Sequence, residues 1–434
     1  MAIVAPGSST TTSASEGSTS YTVPLAVVTT LFFMWGFLTC LNDILVPHLK
    51  PIFDLNYKEI MLIQFAFFGA YFVFSIPSAK VIDWIGYQRS MVVGLLTMGA
   101  GAFLFVPAAS VPSYPLFLVA LIVLAAGITC LQVAANPYVT VLGNPATASS
   151  RLNLTQAFNS LGTFLAPFFG GLFILSAAPK TIEEIRALAP DALRVYRLHE
   201  AATVKTPYVG LGLALVLLAI AIGTFKLPKI PQAQHQIGEK VNDSIWKHRN
   251  LIFGAIGIFV YVGAEVAIGS FLVNYFTQPD IGGFTEKVAA SFVAFYWGGA
   301  MVGRFIGSGL LQKMKAGHLL GICAVCAAAL VTISMLSTGH FAMWSIILVG
   351  FFNSIMFPSI FALGVAELGP LTGDGSGVMI MAIVGGAILP LAQGAIADRI
   401  GIHHAFFLPV ICYLYILFFA LSGSKPNSER HART

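Results

Sequence analysis

Residues 127–143, GITCLQVAANPYVTVLG, and residues 151–171, RLNLTQAFNSLGTFLAPFFGG, decide the fold. Both runs are apolar enough to cross a bilayer, and a short polar gap separates them. Yet they carry Gln132, Asn136, Asn153, Gln156 and Asn159, whose amides cost several kcal/mol in hydrocarbon unless something pairs them. On a helix Gln132 and Asn136, four apart, share one face, as do Gln156 and Asn159, three apart, so each helix offers one polar stripe. Neutral donors and acceptors on facing stripes suit an uncharged, hydroxylated ligand. The same groups also serve as helix-to-helix hydrogen bonds that hold a bundle together. Five amides on two consecutive spans favour a ligand cavity.

At 434 residues, with 57% hydrophobic and 9% charged, the chain departs from soluble proteins, in which about a quarter of residues are charged. It reads as an all-α polytopic membrane protein. The net charge of +5 sits in candidate loops, with no basic cluster that would track nucleic acid. Cys40, Cys130, Cys323, Cys326 and Cys412 all fall in apolar segments. The C-x-x-C of Cys323 and Cys326 has no nearby His or further Cys, so packing outweighs metal or redox chemistry. No H-E-x-x-H, G-x-S-x-G or Walker A pattern occurs, which argues against an intramembrane enzyme and against nucleotide-driven transport.

Residues 1–22, rich in Ser and Thr and free of Lys and Arg, read as a disordered cytoplasmic tail. Spans follow at 23–49, 60–82, 91–107, the two opening runs, and 207–225, with Pro47 expected to kink or end the first helix. Residues 176–206 form a mixed-charge excursion with some helix outside the bilayer. The linker 226–249, holding Lys226, Lys229, Lys240, Lys247 and Arg249, marks the cytoplasmic side. Six further spans are expected at 251–275, 289–310, 318–337, 343–367, 373–396 and 405–421, then a second cytoplasmic tail, 423–434. The domains are thus an N-terminal six-helix half, 23–225, and a C-terminal one, 250–422. Lys80, Arg89, Arg151, Arg304, Lys313 and Lys315 fall on the linker's side, placing both termini in the cytoplasm, although the basic residues of 176–206 dilute that signal.

The halves echo each other. Pro137 is followed by Gly143 as Pro358 is by Gly364; Gly162 precedes Pro167 as Gly385 precedes Pro390; and the turn at Ala79, Asp83 and Gly86 matches Gly394, Asp398 and Gly401. Parallel six-helix repeats with nested three-helix units place a substrate site at the midplane between halves.

Twelve spans, a basic central linker and the G-x-x-x-D-R-x-G turn at 394–401 resemble the major facilitator superfamily, and the turn after the second span is a degraded copy of that signature. CLNDILVPHLKP (40–51), IQFAFFGAYF (63–72), AANPYVTVLG (134–143), SRLNLTQAFNSLG (150–162), YVGAEVAIGSF (261–271) and FNSIMFPSIFALG (352–364) are similar to the fucose, galactose and glucose cation symporter family, in its glucose/galactose branch. The resemblance covers residues 29–421. It implies a monomer in a bacterial inner membrane, surrounded by lipid, that imports a monosaccharide by alternating access, with no cofactor beyond a coupling proton or sodium ion. In the fucose branch the aspartate of L-N-D-I-L and a glutamate in C-L-E-x-A-A-N-P serve binding and coupling. Asp43 matches the first, and Gln132 stands at the second. An amide bonds a sugar hydroxyl but does not titrate.

Asp43, beside Asn42, is the leading site residue: an aspartate in a spanning helix must take a proton, hold a cation such as sodium, or find a donor. Glu265 is the carboxylate well inside the second half's spans and either binds a sugar from that side or pairs with Arg304. Asn353, next to Ser354 and Pro358, is a further sugar contact, with packing as its alternative, and Gln393 reads as packing. Asp83, Arg304, Asp398 and Arg399 lie at helix ends, where gating ion pairs or plain solvation outweigh ligand binding. A sugar importer competes here with a non-transporting sensor of the same fold and with an efflux transporter; amide-rich stripes disfavour the last.

Overall fold

Away from water a chain satisfies its own N–H and C=O groups only as a helix or a closed barrel, and every long element here is a helix. The computed structural model describes residues 21–53, 57–111, 113–173, 187–203, 205–229 and 243–426, and among them there is no strand. The expected tails, 1–20 and 427–434, and linker residues 230–242 lie outside the described residues.

In chain order the helices are α1 (Thr22–Phe53), α2 (Tyr57–Ser110), α3 (Tyr114–Val141), α4 (Ala148–Phe173), α5 (Pro190–Thr203), α6 (Lys205–Thr224), α7 (Arg249–Phe276), α8 (Glu286–Lys313), α9 (Ala316–Leu336), α10 (Gly339–Asn353), α11 (Met356–Gly364), α12 (Thr372–Met381), α13 (Gly385–Ile400), α14 (Ile402–Ala405) and α15 (Phe407–Phe418). Among the described residues, 10 stretches are long and apolar enough to cross a membrane. One of these, Phe65–Ser110, has 46 residues and is long enough to cross twice, while the 26-residue α4 adds a crossing of its own. Twelve spans in two six-helix halves result.

Some boundaries differ from the sequence reading. Spans 2 and 3 form one element, α2, interrupted inside only at Gly86 (φ 81°, ψ 168°), where a short polar turn is expected. Pro47 does not end α1, which runs on to Phe53; a spanning helix tolerates the lost donor when neighbouring groups satisfy the freed carbonyl. Span 10 is α10 plus α11, and span 11 is α12 plus α13, joined by a 3-10 turn at Ala382–Val384. The excursion before span 6 does contain a helix, α5, with Val195 and Leu198 exposed.

Backbone geometry carries the internal repeat. Gly401 (φ 85°, ψ 154°) has nearly the same left-handed conformation as Gly86, one that side-chain-bearing residues rarely adopt. At Gly162 a Cβ would lie 2.2 Å from Phe33 O, and at Gly385 a Cβ would lie 2.0 Å from Phe259 O. Span 5 therefore crosses span 1 as span 11 crosses span 7. Gly162→Ala or Gly385→Ala is expected to cost about 1–3 kcal/mol through overpacking. Thermal unfolding in detergent checks this, with Gly69→Ala, where nothing lies within 4 Å, as the neutral control.

Polar contacts between the halves gather at one end, the end that holds Gly86, Asn144, Lys315 and Gly369. Ser150 Oγ donates to Ser308 O (2.7 Å), Asn153 Nδ2 to Arg304 O (2.7 Å) and Ser376 Oγ to Val133 O (2.8 Å). Lys80 Nζ bridges Asp374 Oδ1 at 2.7 Å and Asp83 Oδ2 at 3.3 Å. These bonds form a seal of spans 2, 4 and 5 against spans 8 and 11.

Candidate functional site

Spans 4 and 5 bring their amides together as the residue spacing requires. Gln132, Asn136 and Gln156 are all buried. Gln156 Nε2 donates to Asn136 Oδ1 at 3.4 Å, so the two stripes meet, and Gln132 Nε2 donates to Tyr71 Oη at 2.7 Å, tying span 4 to span 2. Asn136 Nδ2 has no partner. An unspent buried donor costs on the order of 1–3 kcal/mol, and an acceptor such as a hydroxyl oxygen would recover it.

Asn159 and Asn153 are engaged elsewhere. Asn159 Nδ2 donates to Phe32 O at 2.9 Å, and its carbonyl packs where Gly36 has no side chain, which fastens span 5 to span 1. Asn153 belongs to the seal. Asn42 and Asp43 lie on α1, and their side chains fall outside the described residues.

The second half presents a knot. Asn353 is fully buried; its Nδ2 donates to Tyr296 Oη at 2.9 Å, its Oδ1 accepts from Tyr413 Oη at 2.8 Å, and its backbone O accepts from Tyr261 Oη at 3.0 Å. Spans 7, 8, 10 and 12 are thereby joined at the break between α10 and α11. Glu265, a turn beyond Tyr261 on span 7, is partly exposed, yet its Oε1 is enclosed and unpaired. Arg304 donates from Nε to Ser354 O at 3.2 Å and from Nη1 to Ser160 Oγ of span 5. Phe158 and Phe305 meet edge to face beside it, 5.8 Å apart.

Of the residues assigned to gating, Asp83 and Arg304 sit at the seal. Asp398 and Arg399 are exposed at the far end of span 11, opposite the end where Asp374 meets Lys80. Gln393, read from the sequence as packing, is buried beside Gly394 with both amide atoms unpaired. Among the described residues no three His, Cys, Asp or Glu side chains gather as metal ligands would.

Sequence reasoning missed Tyr296, Tyr413, Ser160 and Asp374. A lone acidic residue in the glycine-rich start of span 11, LTGDGSG, was the signal available for Asp374. The tyrosines gave none, because in an apolar span a ring reads as core.

The profile of the Major Facilitator Superfamily matches residues 25–383. The chain belongs to this superfamily. A glucose/galactose transporter of Brucella abortus biovar 1 (strain 9-941) is 54% identical over 406 residues, covering 94% of this chain and 95% of that one. The L-fucose-proton symporter of Escherichia coli (strain K12) is 36% identical over 415 residues, covering 94% of each. Among solved structures, a point variant of the E. coli fucose:proton symporter FucP matches with TM-score 0.87 and 34% identity, over 94% of this chain and 100% of that one. The proton:xylose symporter bound to a bromodeoxyglucose, at TM-score 0.71 and 12% identity over 94% and 98%, shares the fold. These relatives are transporters rather than enzymes, and this superfamily member is likewise a multi-pass membrane transporter.

Proposed function

We propose that the protein imports a hexose by cation symport through alternating access, with glucose or galactose as the leading substrate and fucose or mannose as further ones. The observation that carries this is the buried amide cluster of spans 4 and 5, in which Gln156 meets Asn136 and Asn136 Nδ2 is unspent. Neutral donors and acceptors match hydroxyls and leave charged solutes unpaired. The relatives named for glucose/galactose and for L-fucose transport support the same substrate class.

Asp43 is assigned to the coupling cation, with Gln132 supplying an amide oxygen. The relative named as a proton symporter supports a proton, and a carboxylate among amide and carbonyl oxygens also suits sodium. Asn159 and Asn353, already spent on the fold, shape the site from either half. Arg89, Arg151, Lys313 and Lys315 at the sealed end support a cytoplasmic assignment for that end and for both termini, in a bacterial inner membrane.

Counterflow of labelled hexose in proteoliposomes, followed by uptake under an imposed proton or sodium gradient, tests this reading. Hexose counterflow is expected. A protein that hexose stabilises thermally but that shows no counterflow is a sensor, and the transport reading is then wrong. Asn136→Ala or Gln156→Ala should weaken hexose binding by roughly 5- to 150-fold, the worth of one buried hydrogen bond. Unchanged affinity in both would remove the sugar from this cluster.

A further inference from the structure

Glu265 Oε1 is enclosed and bonded to nothing, and its neighbours explain why. The Tyr261 hydroxyl faces it from one turn earlier on span 7. A tyrosine hydroxyl has one proton, and that of Tyr261 goes to Asn353 O at 3.0 Å. Towards Glu265 the Tyr261 oxygen is therefore an acceptor. A carboxylate gains nothing from an acceptor, whereas a carboxylic acid donates to it.

The remaining titratable groups in reach do not change this. Tyr413, on span 12, gives its proton to Asn353 Oδ1, and Tyr296, on span 8, accepts from Asn353 Nδ2. Span 11 packs on span 7 through Gly385 against Phe259 and Leu389 against Gly263, and brings no charge there. The cation acting on Glu265 is Arg304, which closes no ion pair with it. Arg304 instead bonds Ser354 O and, across the halves, Ser160 Oγ, while its own carbonyl accepts from Asn153 of span 5.

We propose that Glu265 carries a transported proton in addition to the cation exchanged at Asp43 and that Arg304 couples the protonation state of Glu265 to the seal between the halves, an inference that rests on the symport reading above with a proton as the cation. A proton arriving from the unsealed side forms an O–H bond on Oε1, and the neutral acid donates to Tyr261 Oη. Arg304 then faces no opposing charge and stays on Ser160 and Ser354. Once the halves part at the seal, loss of that proton to the solution there leaves a carboxylate without a donor, which draws Arg304 away from Ser160 and keeps span 8 loose from span 5. Proton uptake thus belongs to the sealed state, and release belongs to the state in which the seal has opened.

The test uses the full chain in proteoliposomes with an internal pH dye, galactose or glucose being added outside. In the parent, protons enter with sugar. Glu265→Gln keeps an amide donor for Tyr261 Oη but takes up no proton, so fewer protons entering per sugar, with retained counterflow, are expected. Tyr261→Phe removes the acceptor that stabilises the acid, so the pH midpoint of uptake should fall by about one unit, the worth of one hydrogen bond. This second variant keeps the proposal testable if Glu265→Gln does not fold. Parental proton entry in Glu265→Gln, or a parental midpoint in Tyr261→Phe, overturns the proposal. A parent with hexose counterflow but no sugar-linked proton entry also overturns it while leaving the transport reading intact. Absence of counterflow in the parent removes both.

Discussion

An Asp43→Asn protein is expected to bind hexose and exchange it across the membrane, yet to accumulate none against a gradient. The candidate hexose ligands of spans 4 and 5, Gln132, Asn136 and Gln156, are uncharged, so among the first-half residues proposed for the site Asp43 is the one able to exchange a cation during the cycle. A carboxylate in a spanning helix is neutralised by a proton or by a bound cation, and in a symporter either event is linked to sugar binding. Asparagine fixes the neutral state while still donating and accepting hydrogen bonds. Counterflow moves no net charge and should persist, whereas uptake driven by an imposed proton or sodium gradient should fall to the level of empty liposomes. Gln132→Glu, which adds a titrating group next to Tyr71, should make uptake steeper with pH. Gradient-driven accumulation by Asp43→Asn equal to the parent's would transfer the coupling role away from span 1.

The other large effect is expected at Gly377. A Cβ there would lie 2.9 Å from Ala79 Cβ and 3.2 Å from Ser75 O, so spans 11 and 2 touch backbone to backbone where the halves close. A phenylalanine has no room in the sealed state and is accommodated once the halves part. Overpacking worth about 1–3 kcal/mol lowers the sealed population by roughly 5- to 150-fold relative to the open one. Net uptake should fall by a similar factor. A cysteine introduced at Ser150, which is buried against Ser308 in the sealed state, should become accessible to a thiol reagent supplied at the sealed face. Gly309→Phe serves as control, because nothing lies within 4 Å of a Cβ there. A Gly377→Phe protein with parental uptake and a protected Ser150 cysteine would show that this contact does not limit the cycle.

What could be read from the sequence follows the range of the forces involved. Hydrophobic runs fix the spans because the bilayer acts on each helix separately, and the facing amides of spans 4 and 5 were legible because helical geometry sets the stripes. The matched pairs Gly162 with Pro167 and Gly385 with Pro390 carry the repeat in the sequence, and both glycines sit at helix crossings. The Asn353 knot was not legible, since its three tyrosines come from spans 7, 8 and 12 and meet only after the bundle has packed. Lys80 and Asp374 are 294 residues apart, and no local pattern joins them. Asn159 shows the reverse case: its residue type and position on the stripe fit a ligand group, while its amide proved to be spent on Phe32 O.

The junction at Gly86 also bears on how the protein is made. Spans 2 and 3 leave the ribosome with no loop between them, only one residue out of helical conformation within a 54-residue element. With no long polar tether between them, the two spans are expected to enter the bilayer together, as one helical hairpin. An epitope or protease site inserted at Gly86 would therefore disturb membrane insertion itself, whereas the Asn144–Thr147 turn between spans 4 and 5, already non-helical before Pro145, offers a place where added residues can loop out.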